Sequence, residues 1–180
     1  MKNILVFAGS NSSNSINHML LEFLVKSIAS QQVQLIKLTD FALPMYSEDL
    51  EREAGFGSNV HALLHEIKSA DALIISVNEH NGTVSAYFKN TLDWLSRLDR
   101  NFLKDKKILL VSTSRGKRGA ASALEYTKGV LPRFGGEVVD SFSLPNFDEN
   151  FSVSKQRMVN ETLYLGMLDV VQNFSHQIEL

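Results

Sequence analysis

Three short, almost wholly apolar runs, each followed by a segment of helical period, constrain this chain more than any other feature. Ile4 to Ala8, Ala72 to Val77 and Ile108 to Val111 have no polar alternation, as strands buried on both faces require. Val33 to Leu38 alternates apolar and polar residues and reads as a half-buried or edge strand, and Glu137 to Phe142 reads as the last strand. Between them, Met19, Leu20, Phe23, Leu24 and Ile28 recur at helical spacing, as do Val60, Leu63, Leu64 and Ile67. Val84 to Leu98 and Ala120 to Phe134 are also helical, the latter stopped by Gly135-Gly136. After Pro145, Ser152 or Ser154 is expected to cap a final helix running to about Gln177, while Thr39 to Gly57 reads as irregular. Five β-α repeats of this kind predict a parallel sheet with helices on both faces. Right-handed crossovers make it doubly wound, with ligands bound beyond the carboxyl ends of the strands. The 180 residues are expected to form one domain, 1–180, without repeats or linkers.

Charge and composition remove several function classes. A net charge of −2 argues against nucleic acid as a partner, which calls for a basic surface. The absence of cysteine removes disulfides, thiolate catalysis and thiolate metal sites, and it suits a reducing compartment. His18, His61, His65, His80 and His176 show no grouping with carboxylates that predicts a metal site. The apolar run after Met1-Lys2-Asn3 is too short for a signal sequence, and no stretch approaches the roughly 18 apolar residues of a membrane span. The expectation is a soluble, cytoplasmic protein without a membrane partner.

Three polar loops should meet at one edge of such a sheet, those after the first, third and fourth strands. Gly9 to Asn17 holds four serines and three asparagines at the start of a helix. Hydroxyls, free backbone N–H groups and the helix dipole together predict a phosphate site without lysine or arginine, beyond what a helix cap alone requires. The loop matches neither G-x-G-x-x-G nor the Walker A pattern. In the second loop, Asn78-Glu79-His80-Asn81-Gly82, the Asn-Gly pair predicts a tight turn whose backbone can approach a flat ligand. His80 reads either as a functional group or as a solvated side chain, and Glu79 either as a site residue or as a charge near a helix start. The third loop, Ser112 to Gly119, carries Arg115, Lys117 and Arg118 and reads either as an anion site or as a solvated loop. Gly55-Phe56-Gly57-Ser58 has no strand before it and lacks a third glycine, so Pro44 to Ser58 reads as a flexible loop and a candidate cover over the ligand.

Together these segments resemble the NAD(P)H-dependent FMN reductase family, flavodoxin-like quinone, azo-dye and chromate reductases, from Asn3 to about Phe142. Glu79-His80-Asn81-Gly82 followed by Ala86-Tyr87-Phe88-Lys89-Asn90-Thr91-Leu92-Asp93-Trp94-Leu95 is similar to the family's Pro-Glu-Tyr-Asn-Gly turn and its Leu-Lys-Asn-x-Ile-Asp-Trp-Leu helix. Gly9-Ser10 with Ser15-x-Asn17 resembles its phosphate loop, Pro44-x-Tyr46 with Glu48-Asp49 the segment after its second strand, and Ser112-x-Ser114 with Gly116 and Gly119 its third loop. The resemblance implies a five-stranded sheet in the order 2-1-3-4-5 and FMN as cofactor, with NAD(P)H as co-substrate. It places Ser10, Ser12, Ser15, Ile16 and Asn17 at the phosphate, Asn78, Glu79, His80, Asn81 and Gly82 along the isoalloxazine ring, and Ser114, Arg115 and Gly116 at its other edge. The family usually has arginine where this chain has Ser12, proline at Asn78, tyrosine at His80 and proline at Arg115. Arg115, Lys117 or Arg118 is the candidate to replace the missing charge.

Flavin carries the hard chemistry in such enzymes, so no catalytic triad or carboxylate pair is expected. The implied reaction alternates between NAD(P)H and a small-molecule acceptor: a quinone, flavin, azo or nitro compound, or metal oxyanion. The helix over Val84 to Leu98 carries one stripe of Val84, Phe88, Thr91 and Leu95 and another of Tyr87 and Trp94. Two apolar faces predict either a homodimer or homotetramer through this helix, as in the family, or a broad face within one core. A flavodoxin-like electron carrier fits less well, because this chain is only weakly acidic and has no Trp or Tyr in the ring-bordering loops. A phosphoacceptor receiver is excluded, since the third strand ends in Val77-Asn78 and the first loop has no acid. A member of the fold that has lost its flavin is the other alternative.

Overall fold

The computed structural model describes residues 1–28 and 31–180. Five strands, β1 (Asn3–Ala8), β2 (Gln32–Lys37), β3 (Ala72–Val77), β4 (Lys107–Thr113) and β5 (Glu137–Leu144), form one sheet in the order β2-β1-β3-β4-β5. Every pairing is parallel, with Val6 lying between Leu35 and Ile74, and Ile74 beside Leu109. This is the expected order and winding. No helix among the described residues is long and apolar enough to cross a membrane.

Alternation of side chains across the pleat explains the continuous apolar runs. Leu5 and Phe7 of β1, with Leu73, Ile75 and Val77 of β3, face helices α3 (Ser58–Ser69), α4 (Ala86–Leu98) and α5 (Ala121–Val130). Ile4, Val6 and Ala8, with Ala72 and Ile74, face α1 (Ile16–Leu24) and α6 (Glu161–Glu179) on the opposite side. Both faces are therefore dry, and a polar residue on either would lose water without gaining a partner. Ser76 and Ser112, which do break the runs, each donate a hydrogen bond near the strand ends.

Several boundaries differ from the sequence expectation. Ser152 and Ser154 do not start the last helix; Phe151–Ser152 pairs with Arg157–Met158 as a small antiparallel hairpin, and Asn160 caps α6 by accepting from Leu163 N–H at 3.1 Å. Val84 leaves the predicted helix, because Thr83–Val84 pairs with Glu79–His80, and α4 begins at Ala86 under a Ser85 cap. The helix expected to Phe134 is α only to Val130 and tightens to a 3₁₀ turn over Leu131–Phe134, where Pro132 supplies no N–H. Gly135, at φ +90°, ends it as predicted.

The stretch from Thr39 to Gly57 is more ordered than its sequence suggests. It contains α2 (Glu48–Ala54), capped by Ser47, and it is fastened along α4. Asn90 accepts from Tyr46 N–H at 2.8 Å and donates to Pro44 C=O at 2.9 Å, and Trp94 Nε1 donates to the same carbonyl at 2.8 Å. Tyr46 and Phe56 meet the Trp94 ring edge-on at 5.2 and 6.0 Å. One turn further on, Arg97 makes a two-pronged contact with Glu51 at 2.8 and 2.9 Å, which holds that carboxyl below its usual range with help from Tyr46. The stripe of Asn90, Trp94 and Arg97 thus serves this chain's own strap. Within the chain itself Trp94 is 1% exposed.

Candidate functional site

The carboxyl ends of β1, β3 and β4 bring the three polar loops together around a cavity of about 340 Å3. Ten of the expected site residues line it: Ser10, Ser12, Ser15, Ile16 and Asn17 from the first loop, Asn78, Glu79 and His80 from the second, and Ser114 and Arg115 from the third. Asn14 and Thr113, which the sequence did not single out, line it as well. Asn81, Gly82 and Gly116 do not. Asn81 and Gly82 have φ of 51° and 81° and form the exposed tip of the Glu79–Val84 hairpin, a turn that needs positive φ at both positions. Gly116 lies midway along the third loop, where its carbonyl accepts from Asn146 and Gly119. The strap over 44–58, read as a candidate cover, contributes no lining residue among those described.

Serine hydroxyls shape the first loop. Ser10 Oγ accepts from Ser12 N–H and Ser12 Oγ from Asn14 N–H, both at 3.2 Å, and Ser15 Oγ caps α1 by accepting from His18 N–H. Each hydroxyl spends a lone pair on the backbone and keeps its own proton for a ligand. The first-turn N–H groups of Ile16 and Asn17 have no carbonyl four residues back to bond, so they too point outward as donors. Together with the helix dipole they form an anion-binding cradle without a cation.

The side chain of Asn17 is committed to the fold. It is 3% exposed and wholly engaged: Oδ1 accepts from Ser76 Oγ at 2.8 Å and Thr113 N–H at 3.1 Å, while Nδ2 donates to Thr113 C=O at 3.2 Å. It rivets the ends of β3 and β4 to α1, which leaves only its backbone N–H for a ligand. Gly9 has a similar structural reason. A Cβ there would lie 2.7–2.9 Å from Phe88, and its carbonyl accepts from Ser85 Oγ at 2.8 Å.

Glu79 lines the cavity but commits one carboxylate oxygen to the fold. Its Oε2 accepts from Ser122 N–H at 2.9 Å and Ala123 N–H at 3.2 Å, capping α5 from another loop. The helix needs this cap because its own N-cap position is Ala120, at φ +66° and without a side-chain bond. Glu79 thus acts as a charge at a helix start, but of a helix some forty residues downstream. Glu79→Ala is expected to lower stability by about 1–2 kcal/mol and Glu79→Gln by less, because a neutral oxygen still accepts while the charge–dipole attraction is lost. Urea unfolding measures both. A neutral Glu79→Ala would return the carboxylate to the cavity.

Of the three candidate cations, Arg115 alone lines the cavity, and its Nε bonds Asp148 at 2.9 Å. Arg118 donates to Ser122 Oγ at 2.8 Å. Asn78 completes the site. Its Nδ2 lies 3.2 Å from His80 Nε2, whereas its Oδ1 is buried without a hydrogen-bond partner.

Comparison with known proteins decides the family. The sequence profile of NADPH-dependent FMN reductases matches residues 2–149. The chain belongs to the NADPH-dependent FMN reductase family. Over 129 residues it is 33% identical to a quinone reductase of Escherichia coli (strain K12), covering 71% of this chain and 68% of that one. It is 29% identical to an NAD(P)H-dependent FMN reductase of Pseudomonas aeruginosa over the same shares. The solved flavoenzyme NAD(P)H:(acceptor) oxidoreductase of Paracoccus denitrificans superposes with a TM-score of 0.81 at 27% identity, covering 99% of this chain and 98% of that one.

The cavity of this family member fits FMN on two observations. The serine cradle offers N–H and O–H donors to a phosphate, and the orphaned Asn78 Oδ1 lacks the kind of donor that the N–H of a flavin ring edge supplies.

Proposed function

We propose that this protein is an FMN-dependent oxidoreductase that takes electrons from NAD(P)H and passes them to a small molecule of the quinone, flavin, azo, nitro-aromatic or metal-oxyanion class. The observation that carries this reading is the convergence of an anion cradle and an orphaned buried acceptor in one cavity at the strand ends. Bound there, FMN supplies a ring that accepts a hydride and releases electrons to a second substrate. The chain's residues bind and orient. Ser10, Ser12 and Ser15 donate to the phosphate beside the N–H groups of Ile16 and Asn17. Asn78 accepts from the ring edge, with His80 steadying its amide. Ser114 and Arg115 close the opposite wall, Arg115 held in place by Asp148. The acceptor named for the Escherichia coli relative, a quinone, supports that class first among the acceptors.

The visible spectrum of the purified protein, before and after FMN is added and the excess removed, tests the reading. Retention of FMN near one per chain, with the flavin band bleached by NAD(P)H and restored by a quinone, is the expected result. A protein that stays colourless would instead be a member of the fold without its flavin. A flavin that NAD(P)H fails to bleach would mark an electron carrier.

A further inference from the structure

Beside the serine loop lies a second cavity, of about 530 Å3, whose far wall is built from residues that the flavin reading does not use. The same three serines form its rim, but its walls come from elsewhere. Lys37 and Asp40 bound it at the carboxyl end of β2, His18 and Glu22 of α1 face them, and Met19 and Leu38 supply apolar surface. Its volume is that of a small-ligand site.

Charge narrows the occupant. Lys37 and Asp40 are exposed, and neither forms an ion pair among the described residues. His18 Nε2 lies 3.7 Å from Glu22, yet burial pushes the imidazole below its usual range, with Glu22 opposing and Lys37 adding to the fall. Beside that ring the cavity holds one ammonium, of Lys37, and two carboxylates, of Asp40 and Glu22. Such a lining suits a ligand with one anionic segment, a pair of hydroxyl donors and a flat apolar ring. An acid just beyond the second strand, across from the first βα loop, is also where dinucleotide folds accept the hydroxyls of an adenosine ribose.

We propose that this cavity takes the adenosine end of the nicotinamide coenzyme, with Asp40 accepting from the ribose hydroxyls and Lys37 facing the phosphates, and that it favours NADH over NADPH. The inference rests on the reading of the protein as an NAD(P)H oxidoreductase. The coenzyme then passes over the serine loop, so that its nicotinamide end meets the neighbouring cavity where Asn78 and His80 stand. A phosphate on the ribose 2′ oxygen would remove one hydroxyl donor and bring a dianion against Asp40. That repulsion is the source of the selectivity.

Calorimetric titration of the FMN-loaded protein with 5′-AMP and with adenosine 2′,5′-bisphosphate tests this directly, without turnover. AMP is expected to bind about tenfold more tightly than the bisphosphate, the scale of one uncompensated like-charge contact. Asp40→Asn should weaken AMP severalfold and erase most of that preference, and Lys37→Ala should weaken both ligands by about fivefold, while neither variant changes the FMN content. Failure of AMP to bind, tighter binding of the bisphosphate, AMP binding that ignores both substitutions, or displacement of FMN by AMP would each overturn the proposal. If the protein never holds FMN, the oxidoreductase reading fails by its spectrum. The AMP titration of that same protein still decides the cavity.

Discussion

Asn17→Ala should lower the stability of the protein by about 3 kcal/mol, because it strands buried polar groups that no water readily reaches. The amide has three partners, and their geometry makes them interdependent. Ser76 Oγ and Thr113 N–H both donate to Oδ1, and Thr113 C=O accepts from Nδ2. Truncation leaves Ser76 at the end of β3 and both peptide groups of Thr113 at the end of β4 without those bonds. For a chain of this size the loss corresponds to a fall in Tm of about 6–12 °C by calorimetry. FMN retention should fall with it, since α1 would no longer be held against the strand ends that its cradle overlooks. Asn17→Asp separates the two effects. It keeps an acceptor for Ser76 and Thr113 N–H but sets a carboxylate beside the Thr113 carbonyl and beneath the phosphate cradle, so FMN affinity should fall further than stability does. A change in Tm of less than about 2 °C for Asn17→Ala would show that the amide is not the rivet.

Gly9→Ala should be nearly as costly, at about 2–4 kcal/mol, for a steric reason. The new methyl would lie 2.7–2.9 Å from Cγ, Cδ2 and Cβ of Phe88, well inside van der Waals contact. Neither side can yield easily. Phe88 is 1% exposed in the first turn of α4, and Gly9 is held by its N–H to Ser76 C=O at 2.8 Å and by its carbonyl to Ser85 Oγ. Relief has to come from moving the serine loop, so weaker FMN binding is expected beside the lost stability. Gly57→Ala is the matched control, because a Cβ there meets nothing within 4 Å and its φ of −65° suits any residue. That substitution should be neutral or stabilising by up to about 1 kcal/mol. Equal effects at the two glycines in chemical denaturation would remove the packing argument.

Much of the candidate site was legible because its signals are local. Ser10 to Asn17 announces a helix N-terminus with surplus donors, and Asn81-Gly82 announces a two-residue turn; the backbone did both. The boundary errors arose where two local patterns competed. Ser152 and Ser154 are as good a pair of caps as Asn160, and only the pairing of Phe151 with Met158 in a hairpin rules them out. Trp94 on α4 reads equally well as core or as partner-facing, and only the structure shows that Pro44, Tyr46 and Phe56 cover the indole.

The sequence by itself determined the sheet, its two apolar layers and the edge where ligands gather, because hydrophobic period and turn chemistry act over a few neighbouring residues. Only the tertiary structure decided where individual side chains spend their hydrogen bonds. Glu79 caps α5 some forty residues away, Asn17 joins strands 59 and 96 positions along the chain, and Lys37 and Asp40 face α1 across a cavity that no motif records. Such partners are chosen by the requirement that every buried donor and acceptor be satisfied, which becomes defined only once the chain has closed on itself.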